Sequence, residues 1–148
     1  MSGRIRLKAG RCIGCGACTV ACMDQNDLAA GKTDQPFRRC VVEERDADGG
    51  MDYRSVSCLH CGDAPCVPAC PKGCLYRDPG TGFVLYDNTG CVGCRSCARV
   101  CPNHAPCFGR DGKMVKCDGC VQRVRRGMLP ACVQVCPYGA LELAGPEG

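Results

Sequence analysis

Sixteen of the 19 cysteines in this 148-residue chain fall into four groups of four, and their spacing constrains the fold more than anything else in the sequence. The first group is Cys12, Cys15, Cys18 and Cys22, and the third is Cys91, Cys94, Cys97 and Cys101; both read C-x2-C-x2-C-x3-C. The second, Cys58, Cys61, Cys66 and Cys70, widens one gap to four residues, and the fourth, Cys117, Cys120, Cys132 and Cys136, widens the same gap to eleven. Narrow, wide, narrow, wide is the order left by duplication of a two-motif unit. The reading is therefore a single domain over residues 1–148, with two pseudo-repeats at about 1–80 and 81–148.

The apolar side chains would build a poor core alone. Leu, Ile, Val and Phe together number 26, against 20 glycines, so something other than side chains must fill the interior. The first eleven residues carry Arg4, Arg6 and Lys8 but no apolar stretch of the kind an export signal needs. No run of about 18 apolar residues occurs anywhere. A cytoplasmic chain without direct membrane insertion is the expectation, and in a reducing compartment crowded cysteines serve as metal ligands more often than as disulfides.

A cubane [4Fe-4S] cluster needs four thiolates converging from several directions. A C-x2-C-x2-C loop wraps three of them around one face and leaves the fourth to come from elsewhere. Two-cluster bacterial ferredoxins use the run C-x2-C-x2-C-x3-C-P, whose last cysteine serves the other cluster, and Cys91 to Pro102 is that run. Pro71 and Pro137 follow Cys70 and Cys136 in the same way, whereas Met23 follows Cys22. A proline there ends the local helix and turns the last sulfur away from its own loop. Zinc is the bland alternative, giving a zinc-knuckle structural module, but one zinc ion has no use for a third loop cysteine followed by C-x3-C-P. Spacing by itself leaves open whether the motifs pair in sequence or in a nested order.

The formal charge of +4 counts cysteine as neutral. Sixteen thiolates subtract sixteen and four oxidised cores add back eight, leaving about −4, so the basic residues read as counter-charge. Lys72, Arg95, Arg99 and Lys116 lie within or beside the loops. The basic run Arg123, Arg125 and Arg126 has no aromatic platform beside it, which argues against nucleic acid. His60 and His104 read as packing residues, with a hydrogen bond to cluster sulfur as the alternative, and not as ligands; Cys40, Cys74 and Cys107 read as small buried hydrophobes. Between the cysteines the chain predicts a hairpin with arms 37–45 and 51–57, another with arms 75–77 and 83–87, and small helices over 19–28 and 118–126. The tail from Ala144 onward reads as frayed. The fold class is α+β.

From CIGCGACTVAC through CLHCGDAPCVPACP and CVGCRSCARVCP to KCDGCVQRVRRGMLPACVQVCP, the chain resembles the four-cluster ferredoxin-like electron-transfer subunits of molybdenum and tungsten pterin oxidoreductases. That group includes dimethyl sulfoxide reductase, formate dehydrogenase, polysulfide reductase, transhydroxylase and tungsten aldehyde oxidoreductase complexes. The resemblance implies a duplicated ferredoxin-like fold, four [4Fe-4S] clusters, no catalytic site in this chain, and nested pairing. One cluster would take Cys12, Cys15, Cys18 and Cys136; the next Cys22, Cys117, Cys120 and Cys132. A third would take Cys58, Cys61, Cys66 and Cys101, and the fourth Cys70, Cys91, Cys94 and Cys97. Some relatives lack the second cysteine of the third motif and carry a three-iron cluster; Cys94 is present here. The implied partner is a molybdenum- or tungsten-pterin catalytic subunit, of formate dehydrogenase or aldehyde oxidoreductase type given the short C-terminus. A flavin- or NAD-linked or other electron-accepting subunit, and stacking of the chain on itself, are further expected contacts. A hydrogenase-type complex is the alternative. His104 stands where the family usually has glycine, so that turn is expected to place a histidine in the left-handed region.

Overall fold

Short strands are all this glycine-rich chain can sustain between its cysteine loops, and each finds its partner through turn chemistry or through the chain ends. In a computed structural model describing residues 3–28 and 36–144, the order is β1 (Arg4–Leu7), α1 (Ala17–Gln25), β2 (Arg39–Glu44), β3 (Met51–Val56), α2 (Cys66–Ala69), β4 (Leu75–Arg77), β5 (Val84–Tyr86), a 3-10 turn (Asn88–Gly90), α3 (Ser96–Val100), β6 (Cys107–Phe108), β7 (Met114–Val115), α4 (Val121–Arg125), α5 (Ala131–Val135) and β8 (Leu141–Ala144). The strands form four antiparallel pairs: β1 with β8, β2 with β3, β4 with β5, and β6 with β7. The α+β expectation holds.

Both expected hairpins are present, for the reasons their turns suggest. Asp48 accepts the Gly50 N–H at 2.9 Å and pairs with Arg45 across the DADGG turn. In DPGTG, the Asp78 carboxylate accepts both the Thr81 N–H at 3.0 Å and its hydroxyl at 2.6 Å. The expected helix over 19–28 begins two residues early and ends at Gln25, and the one over 118–126 shrinks to five residues. Ala144 is not frayed: it is buried and closes β8 opposite Arg4. Residues 145–148 of that expected tail lie outside the described residues.

β1 and β8 carry no short-range signal for each other, yet they pair from Arg4 opposite Ala144 to Leu7 opposite Leu141. The Lys8 N–H extends the ladder onto the Ala140 carbonyl at 2.7 Å. This clasp delivers the first cysteine loop beside the last, and α1 packs on α5 just beyond it. Between those elements in sequence α2 packs on α3, so element contacts are nested along the chain. The core is correspondingly divided: Ile5, Cys18, Cys132 and Leu141 form one buried group, Ala64, Leu75, Val84, Cys97 and Met114 another. Phe83, fully buried, stands with Leu85 and Val121.

Candidate metal centres

Four short helices carry or end on half of the sixteen motif cysteines, and the loops before them carry the rest. Cys18 and Cys22 lie on α1, one turn apart, so their sulfurs share a face, and both are buried. Cys66, Cys97 and Cys132 lie on α2, α3 and α5, with Cys70, Cys101 and Cys136 as the C-terminal caps of those helices. The loops enter α1, α3 and α4 through left-handed residues, Gly16, Arg95 and Cys120. Gly119 is left-handed as well, at φ +71, and an added Cβ would meet the Phe83 ring at 2.7 Å. Its N–H points at Cys117 Sγ, 3.3 Å away.

The structure gathers the cysteines across motifs. A hollow of about 340 Å³ is lined by Cys12, Cys15, Cys18 and Cys136, with Cys40 on its wall. A second, about 370 Å³, is lined by Cys58, Cys61, Cys66 and Cys101. A third, about 340 Å³, is lined by Cys70, Cys91, Cys94 and Cys97, with Cys74 beside them. Cys22 is buried among Cys117, Cys120 and Cys132. Among the described residues no three His, Cys, Asp or Glu side chains converge tightly enough for a single metal ion, whereas sulfurs on zinc all lie about 2.3 Å from one centre. Donors spread around a hollow fit a cage of several atoms.

Three turns aim backbone N–H groups at sulfur by one device. After Cys70, Cys101 and Cys136 comes a proline, then two residues later a left-handed residue, Gly73, His104 or Gly139. The following amide then points back: Cys74, Ala105 and Ala140 each donate to the sulfur four residues earlier, at 3.3 Å in every case. His104 fills the left-handed slot at φ 52, as its place in the turn requires. Cys22 has no proline after it, so α1 runs on, and the Asn26 side-chain amide takes over, donating to Cys22 Sγ at 3.5 Å.

Two profiles described as 4Fe-4S dicluster domains match this chain, one over residues 11–74 and the other over 50–145. The chain belongs to the 4Fe-4S dicluster family. Two dicluster domains imply four [4Fe-4S] clusters. The chain is 40% identical over 146 residues to the B subunit of anaerobic dimethyl sulfoxide reductase from Haemophilus influenzae, covering 90% of this chain and 69% of that protein. It is 41% identical over 140 residues to the thiosulfate reductase electron transfer subunit PhsB of Salmonella typhi, covering 89% and 70%. Similarity also extends to the hydrogenase-2 operon protein HybA of Escherichia coli O157:H7, at 33% over 156 residues, covering 88% of this chain and 48% of that one. These findings bear out the resemblance to electron-transfer iron-sulfur subunits of pterin oxidoreductases. No described helix is long and apolar enough to cross a membrane.

The electrostatics of this dicluster protein are those of crowded, buried thiols. Burial, reinforced by Cys117 and Cys132, pushes the Cys22 thiol up to about 12, and burial pushes Cys97 and Cys120 up to about 11. Iron is the positive charge that stabilises such a crowd of thiolates. At Cys70 and Cys136 burial also pushes upward, but the amides of the proline turns outweigh it and the thiols end up lowered.

Two cations sit where they face sulfur from inside. Lys116, expected as counter-charge, is 1% exposed with Nζ 3.5 Å from Cys58 Sγ. Arg38, to which no motif points because it lies in no cysteine loop, is 3% exposed. Burial works against its charge, but Cys132, Cys117, Cys18 and Cys22 outweigh that and hold it protonated. It donates to Ser55 Oγ at 3.0 Å, and Ser55 Oγ lies 3.2 Å from Cys18 Sγ. The other expected counter-charges are peripheral: Arg95 lies over the Phe108 ring at 4.2 Å, and Lys72 and Arg99 are exposed. His60 does more than pack, since its ring approaches Cys117 Sγ at 3.6 Å. Cys74 and Cys107 are buried as expected, and Cys40 is half-buried.

Proposed function

We propose that the four nested sets, named by their lowest-numbered members as the Cys12, Cys22, Cys58 and Cys70 quartets, each hold one [4Fe-4S] cluster. On this reading the chain is a relay between a molybdenum- or tungsten-pterin catalytic subunit and an electron donor or acceptor subunit. The single observation that carries the proposal is the lining of the hollows: each gathers the first three cysteines of one motif and the last cysteine of another. When bound, such clusters supply one-electron oxidation and reduction. The chain's own contribution is placement and tuning through amides aimed at sulfur, buried cations and exclusion of water. The structural form we propose is a doubled ferredoxin unit, its order running from the Cys12 quartet through the Cys22 and Cys58 quartets to the Cys70 quartet, because α1 and α5 each serve the first two and α2 and α3 the last two.

Similarity to the dimethyl sulfoxide and thiosulfate reductase subunits favours a reductase partner over the formate dehydrogenase or aldehyde oxidoreductase type. Similarity to HybA supports a second reading, service in a hydrogenase complex. Metal analysis of the native complex, purified without oxygen, tests both. About sixteen iron atoms per chain with molybdenum or tungsten is the expected result; nickel in their place would favour the hydrogenase reading, and stoichiometric zinc with little iron would overturn the relay.

A further inference from the structure

Neighbouring quartets are connected in two different ways. The Cys12 and Cys22 quartets share α1 and α5, and the Cys58 and Cys70 quartets share α2 and α3. Among the described residues, no helix carries a cysteine of both the Cys22 and the Cys58 quartets. Two buried side chains stand at that junction instead.

His60 touches both sides. Its backbone N–H donates to Cys58 Sγ at 3.4 Å, and its ring Nδ1 accepts the Val84 N–H at 3.0 Å. That assigns the ring hydrogen of the neutral imidazole to Nε2, which faces Cys117 Sγ at 3.6 Å. The residue is fully buried, packed at 4.9 Å against Phe83, and held at φ 48, a conformation a histidine adopts only at a cost. Lys116 completes the junction. Its ammonium donates to the carbonyls of Val84 and Cys117, the latter at 2.8 Å, and to Cys58 Sγ at 3.5 Å, so all three donors are used. Burying an ammonium is costly unless negative charge lies beside it, and the sulfur it touches is a cysteine of the Cys58 quartet.

We propose that His60 and Lys116 are a positioning and tuning pair that joins the Cys22 and Cys58 quartets and biases the clusters in both toward the reduced state. The inference rests on the reading of the quartets as cluster ligands. Reduction adds negative charge to a cluster, and a nearby cation or an N–H aimed at its sulfur ligand stabilises that charge, raising the potential. The two residues act unequally: the Lys116 ammonium donates to a sulfur of the Cys58 quartet and to the backbone carbonyl of Cys117 in the Cys22 quartet, whereas the His60 ring reaches only Cys117.

The test is a redox titration of the anoxically purified complex followed by electron paramagnetic resonance, with iron counted per chain. In Lys116→Met two of the four midpoint potentials shift downward and two stay, and Lys116→Arg restores them. In His60→Asn, which tolerates the left-handed backbone and keeps the amide to Cys58, only one of those same two shifts. Unchanged potentials, or a shift common to all four at unchanged iron content, would overturn the proposal. Should Lys116→Met lose iron, Lys116→Arg at wild-type potentials together with a single shifted potential in His60→Asn sustains it, and anything else overturns it. A wild-type protein with far fewer than about sixteen iron atoms would instead remove the reading of the quartets.

Discussion

The junction between the Cys12 and Cys22 quartets is built on backbone: α1 and α5 pack together, each carrying or capping with one cysteine of either set, and the β1–β8 clasp closes over them. The junction between the Cys22 and Cys58 quartets is built on side chains: His60, Lys116 and, behind them, Phe83, all essentially inaccessible to solvent. The difference teaches where sequence is free to vary. On a shared helix the relation between two sulfurs follows from residues four apart, whatever fills the rest of the turn. At the central junction it follows from the identity of three particular side chains.

The sharpest way to break the comparison is to empty the centre. Phe83→Ala is expected to cost about 3–5 kcal/mol, because the fully buried ring fills the space between His60 and the Gly119 loop and packs on Leu85 and Val121. Thermal loss of the cluster absorption near 400 nm measures it, and a cost no larger than that of a surface substitution would erase the distinction. Gly119→Ala is next. The positive φ and the 2.7 Å approach to Phe83 together set its cost at more than about 1 kcal/mol by the same measurement.

Arg38→Met sharpens the comparison from the helical side. Arg38 faces one sulfur of the Cys12 quartet and three of the Cys22 quartet, so two potentials are expected to fall, sharing with Lys116→Met only that of the Cys22 quartet. Redox titration of the two variants side by side checks this, and identical pairs of shifted potentials would contradict it. The smallest effect belongs to Asn26→Ala, which removes the side-chain hydrogen bonds to the Cys22 carbonyl at 2.9 Å and to Cys22 Sγ at 3.5 Å. A loss of about 0.5–1.5 kcal/mol is expected, with a small downward shift in one potential.

Much of this is legible in the sequence because the thiol spacing and the turn chemistry are local. The four motifs, the proline turns, both hairpins and the left-handed His104 each follow from residues within a few positions of one another. The β1–β8 clasp is not legible, since its partners lie at opposite ends of the chain and neither strand carries more than four residues of pattern. Arg38 escapes notice for a related reason: it is adjacent to no cysteine motif, and only the packing of β2 and β3 against α1 brings it to sulfur. His60 reads as packing because its position shows proximity to Cys58 and Cys61 but nothing of Cys117, nearly sixty residues on.

Nested pairing is the central claim, and one double variant addresses it directly. In nested pairing Cys66 and Cys101 belong to the same quartet; in sequential pairing they belong to different ones. Cys66→Ala combined with Cys101→Ala is therefore expected to leave about twelve iron atoms per chain, three clusters out of four. About eight iron atoms, with two clusters gone, would contradict it.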